Sequence, residues 1–238
     1  MTAGTPMATS AARSDAPGKD DAEARRALAW THTARFLTTA SALAELPVTE
    51  LPEIAFVGRS NAGKSTAINV LSQQKRLAFA SKTPGRTQHI NLFELGPKLA
   101  ADALFADLPG YGYAAVERNA KLRWQEVMAD YLAVRRSLSA IVVLVDSRLG
   151  FTEIDRKLLD FVAPRLANGS VKLLALLTKA DQLNKRDIAI ALQAASDVLG
   201  EVTSEESEVS LTAFSSLSRA GVEDAARVLY AWAHAAAS

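Results

Sequence analysis

The chain has 238 residues, 49% of them hydrophobic and 22% charged, and this composition is that of an ordinary globular protein with one substantial core. Its formal net charge of +1 excludes a molecule that is basic as a whole, and the absence of cysteine excludes disulfides and thiolate metal sites. No apolar run reaches the roughly 18 residues of a transmembrane helix, and the first residues lack the apolar core of a signal peptide, so we expect a cytoplasmic protein.

Residues 1–23 are mostly small and polar, and such a segment buries too little apolar surface to offset the entropy lost on ordering it. We therefore predict a disordered N-terminal tail over residues 1–23 and a single domain over residues 24–238. Arg13 and Lys19 are alternative contacts for RNA phosphates, but neighbouring carboxylates cancel their charge.

Strands and helices alternate along the rest of the chain. Apolar and β-branched runs predict strands over residues 53–58, 89–95, 103–108, 140–146, 171–179 and 207–215. Helical periodicity predicts helices over residues 64–74, 119–134, 153–162, 186–199 and 221–236. This alternation is typical of an α/β fold, in which a mostly parallel sheet carries helices on both faces. The hairpin formed by the second and third strands is expected to add one antiparallel edge strand, and ligands are expected beyond the carboxyl ends of the strands.

The stretch GRSNAGKS follows the first predicted strand and opens the first predicted helix, which is the context of a phosphate-binding P-loop. Gly58 and Gly63 let the backbone curl, so that several N–H groups converge on phosphate oxygens beside the positive end of the helix dipole. Lys64 supplies a charge to the β- and γ-phosphates, and the Ser65 hydroxyl is placed to ligate Mg²⁺.

The stretch DLPG closes the third predicted strand. The Asp107 carboxylate can hold a water bound to Mg²⁺, and Gly110 can offer its N–H to a γ-phosphate without interference from a Cβ atom. An aspartate that only caps a turn is the alternative, but the position after a P-loop favours the metal.

The stretch TKAD follows the most apolar strand of the chain. Asp181 can accept two hydrogen bonds from the N1–H and 2-amino groups of guanine, whereas adenine lacks this donor pair and leaves the carboxylate unpaired. The stem of Lys179 can lie over the base. Backbone amides of FSSLSRAG, residues 214–221, are candidates to receive the guanine O6, although this stretch is equally typical of a serine-rich loop that caps a helix.

The stretch SKTPGRTQ, residues 81–88, is polar, contains proline and glycine, and lies between the first helix and the second strand. We expect a mobile loop with a threonine that reaches Mg²⁺ when a γ-phosphate is present. Thr83 and Thr87 compete for this role, and the position just before a strand favours Thr87. An ordinary flexible connector is the alternative.

These five stretches, in this order, resemble those of translation-factor-related GTPases, and with the flanking residues HINLF and YGYA they are similar to the EngB family of bacterial GTPases. The resemblance extends from Ala34 onwards. It implies a three-layer P-loop GTPase fold with a six-stranded, mostly parallel sheet, GTP or GDP and Mg²⁺ as ligands, and slow GTP hydrolysis. It also implies a role in large ribosomal subunit assembly, with precursor rRNA and ribosomal proteins as partners and effects on growth and cell division. We expect a monomer that binds neither membrane nor DNA.

The resemblance also implies roles for individual residues. The metal ligands would be Ser65 and Thr87, with Asp107 acting through water. Catalysis would involve Lys64, Asn61, Thr87 and Gly110. The nucleotide would be bound by Gly58, Arg59, Ser60, Asn61, Ala62, Gly63, Lys64, Ser65, Thr66, Gly85, Arg86, Thr87, Gln88, His89, Asp107, Leu108, Pro109, Gly110, Thr178, Lys179, Ala180, Asp181, Phe214, Ser215 and Ser216.

Two positions depart from the wider GTPase pattern. Thr178 stands where the guanine-binding stretch usually begins with asparagine, a feature that the EngB pattern shares; lacking the amide, it is expected to tie this loop to the P-loop less firmly and to weaken nucleotide binding. Tyr111 stands where many GTPases have a glutamine that orients the attacking water, which tyrosine cannot do. Arg86 is a candidate either for stabilising the phosphates or for contacting a partner.

Asn61 supplies a hypothesis about catalysis without that glutamine. Several GTPases that lack the glutamine carry asparagine at this P-loop position, where it helps to bind K⁺. A K⁺ ion beside the phosphates would occupy the place of an arginine finger's charge, so we hypothesise K⁺-dependent hydrolysis. The alternative is an asparagine that only shapes the loop.

Other functions are compatible with parts of this pattern. A nucleotide-binding module that hydrolyses almost nothing until a ribosomal partner or K⁺ completes the site is one alternative. A small-molecule kinase is disfavoured, because no arginine-rich lid is visible and the TKAD stretch would lack a purpose. Residues 111–124 mix aromatic and basic side chains beside the metal site and are the preferred partner surface.

Overall fold

The computed structural model describes residues 17–78, 89–111 and 127–235. Within them, one sheet contains β1 (Arg35–Ala40), β2 (Glu53–Gly58), β3 (Ile90–Leu95), β4 (Ala103–Asp107), β5 (Leu138–Asp146), β6 (Lys172–Thr178) and β7 (Val209–Ala213). The helices are α1 (Pro17–Thr31), α2 (Lys64–Leu71), α3 (residues 127–134), α4 (Glu153–Ala167), α5 (Lys185–Gly200) and α6 (Val222–Ala233), with short 3₁₀ helices at Leu43–Glu45 and Ala180–Gln182. No helix in these described ranges is both long and apolar enough to cross a membrane.

The strands lie in the order β1-β3-β4-β2-β5-β6-β7. β2 runs parallel to β4 and β5, and β5, β6 and β7 continue the parallel arrangement, whereas β3 is antiparallel to both of its neighbours. The predicted α/β class is thus confirmed. The sheet has seven strands rather than six, and the antiparallel strand is not at the edge because β1 lies outside it.

Each central strand contributes to two separate cores, because successive side chains of a strand point to opposite faces of the sheet. In β2, Ile54 and Phe56 pack in one core and Ala55 and Val57 pack in the other. Side chains of α1, α2 and α6 cover the first face, and side chains of α3, α4 and α5 cover the second. This arrangement gives the three layers that the resemblance implied.

Helix α1 corrects the predicted boundary of the N-terminal tail. The helix begins at Pro17, so the predicted disordered segment does not extend to residue 23, and residues 1–16 lie outside the described part of the chain. The buried residues Ala24, Ala27 and Trp30 are spaced three apart and form a narrow apolar stripe. Because two of the three are alanines, which are small and only weakly apolar, the sequence gives only a weak indication of a buried helix face here.

Trp30 joins both ends of the described chain to the turn between β3 and β4. Its Nε1 donates a hydrogen bond to Asp102 over 2.8 Å, and its ring meets the His234 ring edge-on with 5.4 Å between centroids. His234 Nε2 lies 3.2 Å from the same Asp102 carboxylate. Helices α1 and α6 are therefore held together on one face of the sheet.

Four parallel strands end at the same edge of the sheet, and each carries a polar or glycine residue there. Gly58 ends β2, Asp107 ends β4, Asp146 ends β5 and Thr178 ends β6. Three of these positions belong to stretches that the sequence marks as nucleotide-binding. The parallel topology is thus what brings residues that are far apart in sequence to one place.

Candidate functional site

The P-loop begins where β2 ends and turns sharply before α2. A Cβ atom on Gly58 would lie 2.8 Å from the Leu144 carbonyl oxygen, so the backbone passes where no side chain fits. Asn61 and Gly63 have φ values of 67° and 95°, in the left-handed region. Left-handed residues that alternate with ordinary ones create a concave loop of N–H groups suited to an anion.

Lys64 and Ser65, in the first turn of α2, both contact Asp107 at the end of β4. The Lys64 ammonium forms an ion pair with one carboxylate oxygen, and the Ser65 hydroxyl lies 3.3 Å from the other. The side chain of Asp107 is only 1% exposed and that of Lys64 is 7% exposed. The structure therefore brings together two of the three predicted metal ligands and the predicted phosphate-binding lysine.

These residues fit a Mg²⁺ ion that is shared with phosphates. Mg²⁺ usually takes one or two protein oxygens and completes its coordination with phosphates and water. One hydroxyl and one carboxylate meet here, and within the described ranges no cluster of three or more His, Cys, Asp or Glu side chains offers a cage made of protein alone. The third predicted ligand, Thr87, lies outside the described residues.

Gly110 and Tyr111 are fastened to the P-loop through the backbone. The Tyr111 N–H donates to the Gly58 carbonyl over 3.2 Å, and the Ser60 N–H donates to the Tyr111 carbonyl over 2.9 Å. A Cβ atom on Gly110 would lie 3.2 Å from the Ser60 nitrogen and 3.3 Å from the Gly58 oxygen. The close approach explains why glycine occupies this position.

The Tyr111 side chain points to helix α4. Its buried hydroxyl donates to Asp155 over 2.7 Å, and burial together with the Asp155 charge raises the pKa of Tyr111 far above its ordinary value. Asp155 also accepts from the N–H and the hydroxyl of Thr152 over 2.8 and 2.6 Å. Thr152 and Asp155 form a capping box at the start of α4, and this spacing is a signal that could have identified Asp155 from the sequence, whereas the contact with Tyr111 could not be foreseen.

The residues predicted to bind guanine lie at the ends of β6 and β7. The Thr178 hydroxyl lies 2.8 Å from the Ala62 carbonyl and 3.1 Å from the Val145 carbonyl, so a hydroxyl ties this loop to the P-loop. The Ala180 N–H donates to the Phe214 carbonyl over 3.1 Å, and Asp181 accepts a hydrogen bond from the Ser215 hydroxyl. The weaker binding expected from threonine stays a prediction.

Asp146 is a residue of this region that sequence reasoning missed. Its carboxylate accepts from the Lys179 ammonium over 2.7 Å and from two nitrogens of Arg148 over 2.8 and 2.6 Å. The Arg148 guanidinium, followed by Lys179, holds the pKa of Asp146 well below its usual range. A carboxylate at the end of a buried strand, as at Asp107, is the signal that could have identified it. Asp146 therefore fixes the direction of the Lys179 side chain.

Two missed carboxylates share a cavity with predicted residues of the P-loop. Asp146 and Asp155 line it together with Arg59, Asn61 and Lys179. Lys179, which is predicted to contact the base, thus borders the same cavity as residues 59–62 of the P-loop.

Strand β3 begins at the same edge of the sheet. Asn91 pairs with Asp107 in the sheet, and His89 lies two residues earlier with its Nδ1 3.0 Å from the Ser41 hydroxyl. The predicted residues Gly85, Arg86, Thr87 and Gln88 lie outside the described residues, as do residues 112–124 of the preferred partner surface.

A family model described as 50S ribosome-binding GTPase matches residues 53–179, which is more than half of the chain. The chain is 54% identical to the probable GTP-binding protein EngB of Polaromonas sp. (strain JS666 / ATCC BAA-500), over 98% of this chain and 91% of that protein. It is 58% identical to the probable GTP-binding protein EngB of Acidovorax ebreus (strain TPSY), over 87% of this chain and 91% of that protein.

Solved structures share the fold. A probable GTP-binding protein EngB superposes with a TM-score of 0.57 at 20% identity, over 75% of this chain and 97% of the other. A variant of Era from Aquifex aeolicus, bound to GDP and AlF₄⁻, gives a TM-score of 0.61 at 19% identity, over 77% of this chain and 57% of the other. These structures establish the P-loop GTPase fold, and the two relatives above are more than half identical across most of the chain. The chain therefore belongs to the EngB family of GTP-binding proteins and is a GTPase.

Proposed function

We propose that this chain is a Mg²⁺-dependent GTPase with slow hydrolysis that acts as a nucleotide switch in large ribosomal subunit assembly. Normal growth and cell division would depend on it because both need a supply of ribosomes. It acts in the cytoplasm as a monomer on precursor rRNA and ribosomal proteins, and binds neither membrane nor DNA. The residues from α1 onwards form its single GTP-binding domain.

The observation that supports slow hydrolysis is the orientation of the Tyr111 side chain. Its hydroxyl bonds to Asp155, so no side chain at this position orients the attacking water as glutamine does in many GTPases. We expect an intrinsic rate on the order of 10⁻⁴–10⁻² s⁻¹. The ribosomal role is supported by the description of the matching family model and by the relatives, not by a bound partner.

The phosphate side of the site would use five residues. Lys64 would exchange its ion pair with Asp107 for oxygens of the β- and γ-phosphates. Ser65, Thr87 and a water held by Asp107 would ligate Mg²⁺, which withdraws negative charge from the phosphates when bound. The Gly110 N–H would meet the γ-phosphate, which GDP lacks. That difference would make the loop after β4 sensitive to the nucleotide.

The base side would select guanine through Asp181. Its carboxylate would accept the N1–H and 2-amino groups, while the bond from Ser215 holds it in place. The stem of Lys179, directed by Asp146, would lie over the base. The Ser215 N–H already donates to the Ala220 carbonyl over 3.0 Å, so the N–H of Ser216 would donate the hydrogen bond to the guanine O6.

Hydrolysis is expected to depend on K⁺ through Asn61. At matched ionic strength, we expect turnover in KCl to exceed turnover in NaCl by roughly ten- to a hundredfold, less than the ~10³–10⁵ supplied by an arginine finger. The left-handed backbone at Asn61 places this residue in the turn of the P-loop. Asn61→Gly, which removes the amide and tolerates the left-handed backbone, should lose the K⁺ stimulation. Equal turnover of the wild type in both salts would contradict the assignment.

Binding to the large ribosomal subunit is expected to follow the nucleotide. In sedimentation with purified large subunits, we expect several-fold more protein in the pellet with a non-hydrolysable GTP analogue than with GDP or no nucleotide. Small subunits serve as the control and should retain little protein in any state. Equal amounts in all three nucleotide states would argue against a switch.

The alternative function is a binding module that hydrolyses almost nothing alone. The engaged hydroxyl of Tyr111 favours it, because a partner would then have to supply the group that orients water. Single-turnover hydrolysis with and without large subunits separates the two functions. A rate that rises from the detection limit only when subunits are added would support the binding module.

A further inference from the structure

Tyr111 is held in place at both its backbone and its side chain. The backbone forms a parallel bridge with the P-loop at Arg59, and the hydroxyl reaches the first turn of α4. The ring between these two attachments is 3% exposed. Tyrosine at this position is thus a rigid connection between the P-loop and α4.

The acceptor of this connection is a buried carboxylate. Asp155 is 1% exposed and accepts three hydrogen bonds, from the Tyr111 hydroxyl and from the N–H and hydroxyl of Thr152. A helix cap needs only the bonds between Asp155 and Thr152. The bond from Tyr111 is additional to the cap, and it joins α4 to the loop that follows β4.

The residue next to this connection is Gly110, and its position is narrowly defined. It lies so close to the P-loop that an added Cβ atom would be 3.2 Å from the Ser60 nitrogen. A hydrogen bond to a phosphate tolerates a displacement of only about 0.5 Å before it weakens. A tilt of Tyr111 shifts the Gly110–Tyr111 peptide group, which is bonded to the P-loop through the Tyr111 N–H, and through the Gly110 Cα atom it also shifts the preceding peptide group that carries the Gly110 N–H.

We propose that Asp155 is a positioning residue for GTP: through the Tyr111 hydroxyl it holds the Gly110 N–H against the P-loop, ready for the γ-phosphate. This inference rests on the proposed contact between Gly110 and the γ-phosphate. It assigns to Tyr111 a role different from that of the glutamine it replaces. The tyrosine does not orient water, but it keeps a donor of the phosphate site in place before GTP arrives.

Tyr111→Phe tests the inference, because it removes the hydroxyl and keeps the ring. Titrations with fluorescent GDP and a fluorescent non-hydrolysable GTP analogue should show GDP affinity unchanged within about twofold. Affinity for the GTP analogue should fall by about three- to tenfold, the range expected for one lost hydrogen bond. Asp155→Ala should act in the same way, and Asp155→Asn, which keeps an oxygen acceptor, should retain more of the affinity.

The chain offers a matched control in Tyr131. Its buried hydroxyl also donates to a buried carboxylate, that of Glu53 over 2.6 Å, but at the opposite end of β2 from the P-loop. Tyr131→Phe should lower the melting temperature and leave the ratio of GDP to GTP-analogue affinity unchanged. A purely structural role for Tyr111 would give this same result.

The outcomes separate this inference from the function on which it rests. Suppose that the wild type binds GDP and the GTP analogue with different affinities, and that Tyr111→Phe leaves the ratio of these affinities unchanged. This result would overturn the role of Asp155 alone. A wild type that binds GDP and the GTP analogue equally would overturn the contact proposed for Gly110, and the role of Asp155 with it.

Discussion

Replacing Asp181 by asparagine is expected to lower the affinity for GTP and GDP by roughly 10²–10⁴-fold, because two charge-assisted hydrogen bonds of about 1.5–3 kcal/mol each are lost or weakened. The asparagine N–H₂ group would face the 2-amino group of guanine, so that two donors oppose each other. Xanthine carries an oxygen in place of the 2-amino group, so it should bind to the variant better than guanine does. The Ser215 hydroxyl, which bonds to Asp181, keeps an oxygen acceptor in the variant.

The measurement is a set of titrations with GDP, XDP and ADP. Asp187→Asn is the matched control, since Asp187 is exposed at the start of α5 and contacts Asn184 rather than the site. It should leave all three affinities unchanged. GDP binding that survives in Asp181→Asn, or a gain in ADP binding, would show that this carboxylate does not recognise guanine.

Replacing Gly221 by alanine is expected to lower the free energy of unfolding by about 3 kcal/mol or more. Gly221 has a φ of +72°, and the left-handed conformation costs an alanine about 1–2 kcal/mol. The added Cβ atom would also lie 2.1 Å from the Ala213 carbonyl oxygen, a contact that only a shift of the backbone can relieve, at a further ~1–3 kcal/mol. Because this shift would reach the end of β7, guanine affinity should fall as well.

Gly200 supplies the control for this substitution. It is the last residue of α5, and a Cβ atom added there would have no heavy atom within 4 Å. Gly200→Ala should leave stability unchanged or raise it by about 0.5–1 kcal/mol. Urea unfolding of both variants and the wild type measures the two effects. A Gly221→Ala variant as stable as the wild type would mean that the turn before α6 is more adaptable than its geometry indicates.

The central strands could be predicted from the sequence because they are buried on both faces. All six residues of β2 are buried, and the predicted bounds of 53–58 agree with Glu53–Gly58. The P-loop, DLPG and TKAD stretches then followed from their positions at strand ends. Because the strands are parallel, Lys64, Asp107 and Thr178 could be expected at one edge of the sheet without knowledge of the distances between them.

Strand β1 could not be predicted because its stability comes from its partner. Phe36 is 58% exposed, so the strand lacks a buried apolar face of its own. Its place is set by pairing with β3, and by contacts such as Arg35 with Glu94 over 2.9 Å. Asp155 was missed for a related reason, since its contact with Tyr111 joins residues that are 44 positions apart.

The packing of α1 against α6 has a consequence for the order in which the protein folds. α1 and β1 are made before the other described helices and strands, but β1 pairs with β3, and Trp30 is covered by residues that include His234 near the end of the described chain. Because synthesis proceeds at ~5–20 residues per second, α6 is made roughly ten to forty seconds after the apolar stripe of α1. During synthesis, α1 is thus made early but packs late, and its apolar face is available to chaperones until then.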